Sequence, residues 1–172
     1  MTDTMIFLNQ SNFCLEKKGN KSIMKLNLDG ESNRSDLSIV LFYNNRCEFC
    51  GEMIEAFNKA IVHCFNSVNF CLLNVDKNPG VVVSSLESST PLTYVPFVMF
   101  YYKGYSHTQY TGLYDKSHLM SFIKAVIDDI SNGSHINTEF VEKKKNVENI
   151  CSIGKPLIGK GKKRFCSYTE AY

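Results

Sequence analysis

An α/β fold is predicted, a mixed central sheet flanked by helices, followed by a basic C-terminal extension. Three observations carry that prediction. The run Ser38-Ile39-Val40-Leu41-Phe42-Tyr43 is apolar throughout and rich in branched residues, as suits a strand buried on both faces. From Cys47 onward the apolar residues Cys50, Met53, Ile54, Phe57, Ile61, Cys64 and Phe65 recur at three- and four-residue steps, as on one face of a helix. A second apolar run, 68–75, follows at once, so strand, helix and strand succeed one another.

The remaining elements can be read in order. Asn78 before Pro79 marks a helix N-cap with proline at the first helical position, and a short helix through Leu86 follows. A Ser/Thr loop, 88–91, leads to a hairpin: residues 97–102, the turn Lys103-Gly104, and residues 106–110. Asp115 caps an amphipathic helix with Leu119, Phe122, Ile123, Val126, Ile127 and Ile130 on one side, and Asn132-Gly133 stops it. The order is β-α-β-α-β-β-α. Upstream, 6–8 and 23–28 read as strands, the second as an edge of the same sheet, and 30–36 is a polar connection.

A chain of 172 residues suffices for one well-cored domain and would crowd two. No stretch approaches the ~20 apolar residues of a membrane span. The N-terminal apolar run carries Asp3 rather than cations and ends at Asn9-Gln10, which is not a signal-peptide pattern; the expected compartment is the cytosol. Residues 1–133 hold 11 Lys and Arg against 13 Asp and Glu, a net of −2, whereas 134–172 hold 8 against 4, a net of +4. The expected division is therefore a domain over 1–133 and a basic extension over 134–172, partly docked or disordered.

That extension carries two basic clusters, 143–145 and 160–164, read as solvated flanks rather than a nucleic-acid site. Its apolar residues Phe140, Val141, Ile150, Ile153, Leu157 and Ile158 argue for some docking, since a free tail has no use for them.

Seven cysteines, at 14, 47, 50, 64, 71, 151 and 166, are an odd set for a disulfide framework. Two of them form Cys47-Glu48-Phe49-Cys50 at the start of the long helix. There the first sulfur meets unsatisfied backbone N–H groups and the positive end of the helix dipole, which favour a thiolate. The second lies one turn on, placed to attack a mixed disulfide. Cys47 is thus the expected nucleophile and Cys50 the buried resolving thiol. Arg46 adds a cation beside Cys47, and Glu48 opposes it. Phe49 is either an apolar substrate contact or first-turn packing. Zinc is not expected, because the other cysteines form no second close pair. Cys64 and Cys71 fall on apolar faces and read as small buried hydrophobes. His63, His107, His118 and His135 are scattered away from the motif. Cys151 and Cys166 could make a second redox pair.

These landmarks resemble the thioredoxin family over about residues 38–130. The strand and CxxC helix are followed by Asn74-Val75-Asp76-Lys77-Asn78-Pro79-Gly80, then by Val95-Pro96-Phe97-Val98-Met99-Phe100, then by Gly112. The resemblance implies a thioredoxin-like fold in which Pro96 is cis and faces the CxxC. It also implies that the Val95 backbone pairs with an extended substrate peptide, with Gly112 beside it. The motif departs from the family's Trp-Cys-Gly-Pro-Cys. The family's buried acid falls on Leu41 and its neighbouring lysine on Leu72, and the loop before Pro96 is longer. With its Asn-, Lys- and Phe-rich composition, the chain looks like thioredoxin-like proteins of large cytoplasmic DNA viruses.

The implied function is a protein dithiol–disulfide oxidoreductase that needs no cofactor. Its implied partners are proteins bearing disulfides and a thiol donor or acceptor of electrons; neither a membrane nor nucleic acid is expected. The alternative is a redox-inactive module that binds a protein through the cis-proline cleft.

Overall fold

The computed structural model describes residues 5–28, 33–64, 66–133 and 149–153. Strand β1 (Ile6–Phe7) precedes a ribbon of β2 (Phe13–Lys18) and β3 (Lys21–Leu26). The central motif is β4 (Leu37–Tyr43), α1 (Glu48–Cys64) and β5 (Asn69–Asn74). Next come α2 (Pro79–Leu86), a short β6 (Tyr94–Val95) and the hairpin of β7 (Phe97–Tyr102) and β8 (Tyr105–Tyr110). The last elements are α3 (Lys116–Ser131) and β9 (Cys151–Ser152).

The main sheet has the order β1-β5-β4-β7-β8, with β1, β5 and β4 parallel and the hairpin antiparallel. Side chains alternate across it with the period of two that a strand imposes. Ile39, Leu41, Phe70, Leu72, Val98 and Phe100 point to one face and pack under α1 and α3, against Met53, Phe57, Leu119 and Ile123. Val40, Phe42, Cys71, Leu73, Phe97, Met99 and Tyr101 point to the other, against Phe13, Met24, Leu26, Val81 and Val82. A sheet covered on both sides explains why its strands read as unbroken apolar runs. Leu41 and Leu72, where the family has its acid and lysine, are cross-strand partners in the α1/α3 core.

The turn at 103–104 is a two-residue hairpin with positive φ at both positions, 52° at Lys103 and 90° at Gly104, the twist that such hairpins prefer. A Cβ on Gly104 would lie 2.6 Å from the Leu26 carbonyl oxygen, so this glycine also lets the β3 backbone approach. Asp115 accepts from the His118 N–H at 2.8 Å and caps α3 as expected. Gly133 closes the helix at φ +72°. Among the described residues no helix is long and apolar enough to cross a membrane.

Two expectations need correction. Among the described residues, 23–28 do not join the main sheet: β3 pairs with β2, and the ribbon lies over the second core. The reason is its one-sided pattern, with Phe13, Met24 and Leu26 facing in while Cys14 and Leu15 are exposed. The sheet edge beside β5 is taken by β1 instead. Asn78 does stand at the start of α2, but its side chain does not cap the helix. It accepts from the Gln10 N–H and donates to the Asn74 carbonyl, tying the N-terminal segment to the end of β5. Phe65, both basic clusters, Cys166 and the other apolar residues named in the extension, apart from Ile150 and Ile153, lie outside the described residues.

Candidate active site

The chain leaves β4 through Asn44, which is buried. Its side-chain oxygen accepts from the N–H groups of Arg46 at 3.1 Å and Cys47 at 2.9 Å. Those bonds fold the turn back so that Cys47 precedes the first residue of α1. The Cys47 sulfur lies 3.7 Å from the carbonyl oxygen of Val95. The Val95–Pro96 peptide bond is cis. Cys47, Cys50, Val95 and Pro96 therefore converge at the end of the sheet where α1 begins, and Phe49 packs half-buried on the same core. The Arg46 side chain is exposed, as is Glu48. Gly112 lines an adjoining groove with Tyr114, His118 and Asn149, and a Cβ there would meet the Tyr110 ring at 2.8 Å.

Cys50 is 1% exposed and carries a free thiol. Burial pushes that thiol up to about 12, against a downward pull from the backbone of Asn44. Cys71 and Cys64 are also raised by burial, as buried cysteines are, and Cys14 is free on the surface.

The disulfide present is not Cys47–Cys50. Cys47 is bonded to Cys151, 104 residues along, with the two Cα atoms 6.0 Å apart. Cys151 is thus not paired with Cys166, and the segment around it is docked. Strand β9 runs antiparallel to β6, with Ser152 opposite Tyr94 and Cys151 opposite Val95. The ladder continues through the Ile153 N–H to the Thr93 carbonyl at 2.8 Å. At the other end the Tyr114 hydroxyl donates to the Asn149 carbonyl at 2.7 Å. Burial, reinforced by the nearby Cys50, Tyr94 and Glu52, pushes the Tyr114 hydroxyl up to about 12, so it stays a donor at neutral pH. Ile153 is buried in the core cluster that also holds Leu92 and Tyr94, and Ile150, half-buried, lines a small cavity with Tyr94, Pro96 and Tyr114.

Sequence reasoning thus missed Cys151 as the partner of Cys47, and the supporting roles of Asn44, Tyr94 and Tyr114. A signal existed for the docking of the segment, though not for its partner: two isoleucines flanking a cysteine within a charged extension. Among the described residues no three His, Cys, Asp or Glu side chains gather as for a metal ion.

Comparison with known proteins agrees with this architecture. A family model, Thioredoxin, matches residues 20–125. Uncharacterized protein 020R of Invertebrate iridescent virus 3 is 30% identical over 140 residues, covering 78% of each chain. Uncharacterized protein 196R of Invertebrate iridescent virus 6 is 29% identical over 92 residues, and there the chain spans about half the relative, 52%. Among solved structures, human ERp44 aligns at a TM-score of 0.53 and 17% identity, covering 73% of this chain and 30% of that one. A mutant thioredoxin from Halobacterium salinarum aligns at 0.50 and 16% identity, covering 72% and 90%. At these identities the structural likeness concerns the fold.

Proposed function

Because the chain belongs to the thioredoxin family, we propose that it is a protein dithiol–disulfide oxidoreductase with Cys47 as nucleophile and Cys50 as resolving thiol. One observation carries this reading. The Cys47 sulfur is joined to a cysteine on an extended segment paired with residues 94–95, next to Pro96. That is the arrangement a mixed disulfide with a substrate peptide requires.

In the reducing direction the Cys47 thiolate attacks one sulfur of a substrate disulfide. A Cys47–substrate disulfide forms, and the other substrate sulfur leaves as a thiolate and takes a proton. The Cys50 thiolate then attacks the Cys47 sulfur. The Cys47–Cys50 bond forms and the second substrate thiolate leaves. Two electrons pass from the dithiol to the substrate, and a separate thiol donor restores the pair. Run backwards, the same steps oxidise a substrate dithiol. Arg46, Phe49, Val95, Pro96 and Gly112 form the peptide-facing surface, with the Arg46 cation set against the Glu48 carboxylate beside Cys47. The reaction uses no cofactor, and free thiols at Cys14, Cys50, Cys64 and Cys71 suit a cytosolic setting.

A competing reading is a redox-inactive protein-binding module. One observation favours it: the Cys50 thiol is pushed up to about 12, leaving little thiolate for resolution. Turbidimetric reduction of insulin with dithiothreitol as donor separates the two. Catalysis by the wild type, lost in Cys47→Ser, supports the oxidoreductase; no acceleration over the donor alone supports the module.

A further inference from the structure

Residues 149–153 are held by more than one kind of contact. The backbone is paired at Tyr94 and Val95, and the Ile153 N–H reaches Thr93. Tyr114 grips the Asn149 carbonyl. Ile150 and Ile153 fill apolar seats on either side of the cysteine, and the cysteine itself ends on Cys47. A disulfide formed by chance proximity explains the last contact but none of the others.

We propose that residues 149–153 are a tethered substrate of the exchange site and that Cys151 is a third redox-active thiol, so that a Cys47–Cys151 disulfide interconverts with Cys47–Cys50. This rests on the exchange chemistry proposed above. The Cys50 thiol gives up its proton and attacks the Cys47 sulfur. The Cys47–Cys50 bond forms, the Cys47–Cys151 bond breaks, and Cys151 leaves as a thiolate that takes up a proton. The step is an isomerisation, with no net oxidation and no outside reagent. Because Cys151 and an outside peptide use the same β6 edge, only one can be seated at a time. The chain from Gly133 to Asn149 has sixteen steps, which at about 3.3–3.6 Å each reach at most about 53–58 Å. Tethering favours the internal segment over a free competitor.

The seat also defines the class of outside substrate: an extended cysteine peptide with a branched apolar residue immediately before the cysteine and another two positions after it, as Ile150 and Ile153 stand to Cys151. A charged residue at either place would leave the apolar seat unfilled or desolvate its charge.

The test uses the full chain equilibrated in mixtures of oxidised and reduced dithiothreitol, quenched in acid, alkylated and mapped by mass spectrometry without reduction. Two one-disulfide species are expected in the wild type. Cys50→Ser should retain only Cys47–Cys151, and Cys151→Ser only Cys47–Cys50. Ile150→Asp, at a half-buried position that should tolerate it, should lower the ratio of Cys47–Cys151 to Cys47–Cys50 by about tenfold or more. A synthetic peptide of residues 148–153, activated at its cysteine as a thionitrobenzoate disulfide, should label reduced Cys151→Ser faster than reduced wild type. Aspartate at either isoleucine of the peptide should slow it. Absence of Cys47–Cys151 in every mixture, or a ratio unmoved by Ile150→Asp, overturns the tethered substrate while insulin reduction remains. If Cys47–Cys50 never forms even in Cys151→Ser and insulin is not reduced, the exchange reading fails instead, and the isomerisation with it.

Discussion

Asn44 holds the backbone of Cys47 through its side-chain oxygen, 2.9 Å from the Cys47 N–H, and engages the Cys50 thiol through its own backbone. One buried side chain therefore sets the turn that positions Cys47. Asn44→Ala removes an acceptor from two N–H groups, which costs about 1–3 kcal/mol where such groups stay buried. The expected outcome is a lower guanidinium midpoint together with loss of selectivity for Cys47 in alkylation of the reduced protein. Asn44→Asp keeps the acceptor but buries a carboxylate at a site only 1% exposed, so it should lower the stability as well, and its charge disfavours a neighbouring thiolate and should slow Cys47 alkylation. Equal alkylation rates in wild type and both variants would remove Asn44 from the site's function.

The Cys50 thiol gives a pH dependence whose sign follows from its shift. Its value is raised to about 12, so the neutral thiol dominates at every pH below that. At pH 7 the reactive thiolate is about one part in 10⁵. Resolution of a Cys47 mixed disulfide should then accelerate about tenfold per pH unit from 7 to 10, without the plateau near 9 that an ordinary thiol would give. Release of thionitrobenzoate from labelled Cys47, with Cys50→Ser as the baseline for hydroxide attack, measures it. A plateau near 9 would mean that Cys50 is solvated when it reacts.

The sheet and its helices were legible in the sequence because burial on both faces writes itself as apolar runs and three-to-four spacing. β4, α1, β5 and the hairpin all follow that rule. The CxxC was legible because a helix N-terminus is a local feature. What escaped was non-local. β2 alternates too weakly, Phe13-Cys14-Leu15 then charge, to read as a strand until its ribbon partner covers the core. Cys151 is 104 residues from Cys47, and no local pattern encodes a pairing at that distance. Asn78 shows the opposite failure: its local signal for a cap is correct in place, but Gln10 claims the side-chain oxygen across 68 residues.

Tyr114 offers a test of how firmly the C-terminal segment is seated. Tyr114→Phe keeps the ring and deletes the hydrogen bond to Asn149. A bond of this kind contributes about 0.5–1.5 kcal/mol net, so the fraction of Cys47–Cys50 relative to Cys47–Cys151 should rise by roughly two- to twelvefold. Mapping of alkylated protein from a fixed dithiothreitol mixture reads that ratio. An unchanged ratio would show that the hydroxyl contributes nothing to holding the segment.

The Cys47–Cys151 bond should also be visible in stability, because it closes a loop of 104 residues. Closing a loop of that length restricts the unfolded chain, and measured effects of such bonds cluster at about 2–4 kcal/mol. Oxidised wild type should therefore resist guanidinium better than Cys151→Ser by about that amount, with the slopes of the two transitions compared because the cross-link also compacts the unfolded state. In excess dithiothreitol the gap should shrink to the small difference between a cysteine and a serine at 151. Ile153→Ala probes the non-covalent part: its burial in the core stabilises by up to about 3 kcal/mol, and that loss should persist under reduction if the segment stays seated without the bond. If the loss vanishes on reduction, the segment is held by its disulfide alone, and Cys151 governs the cleft as a covalent cap rather than as a recognised peptide.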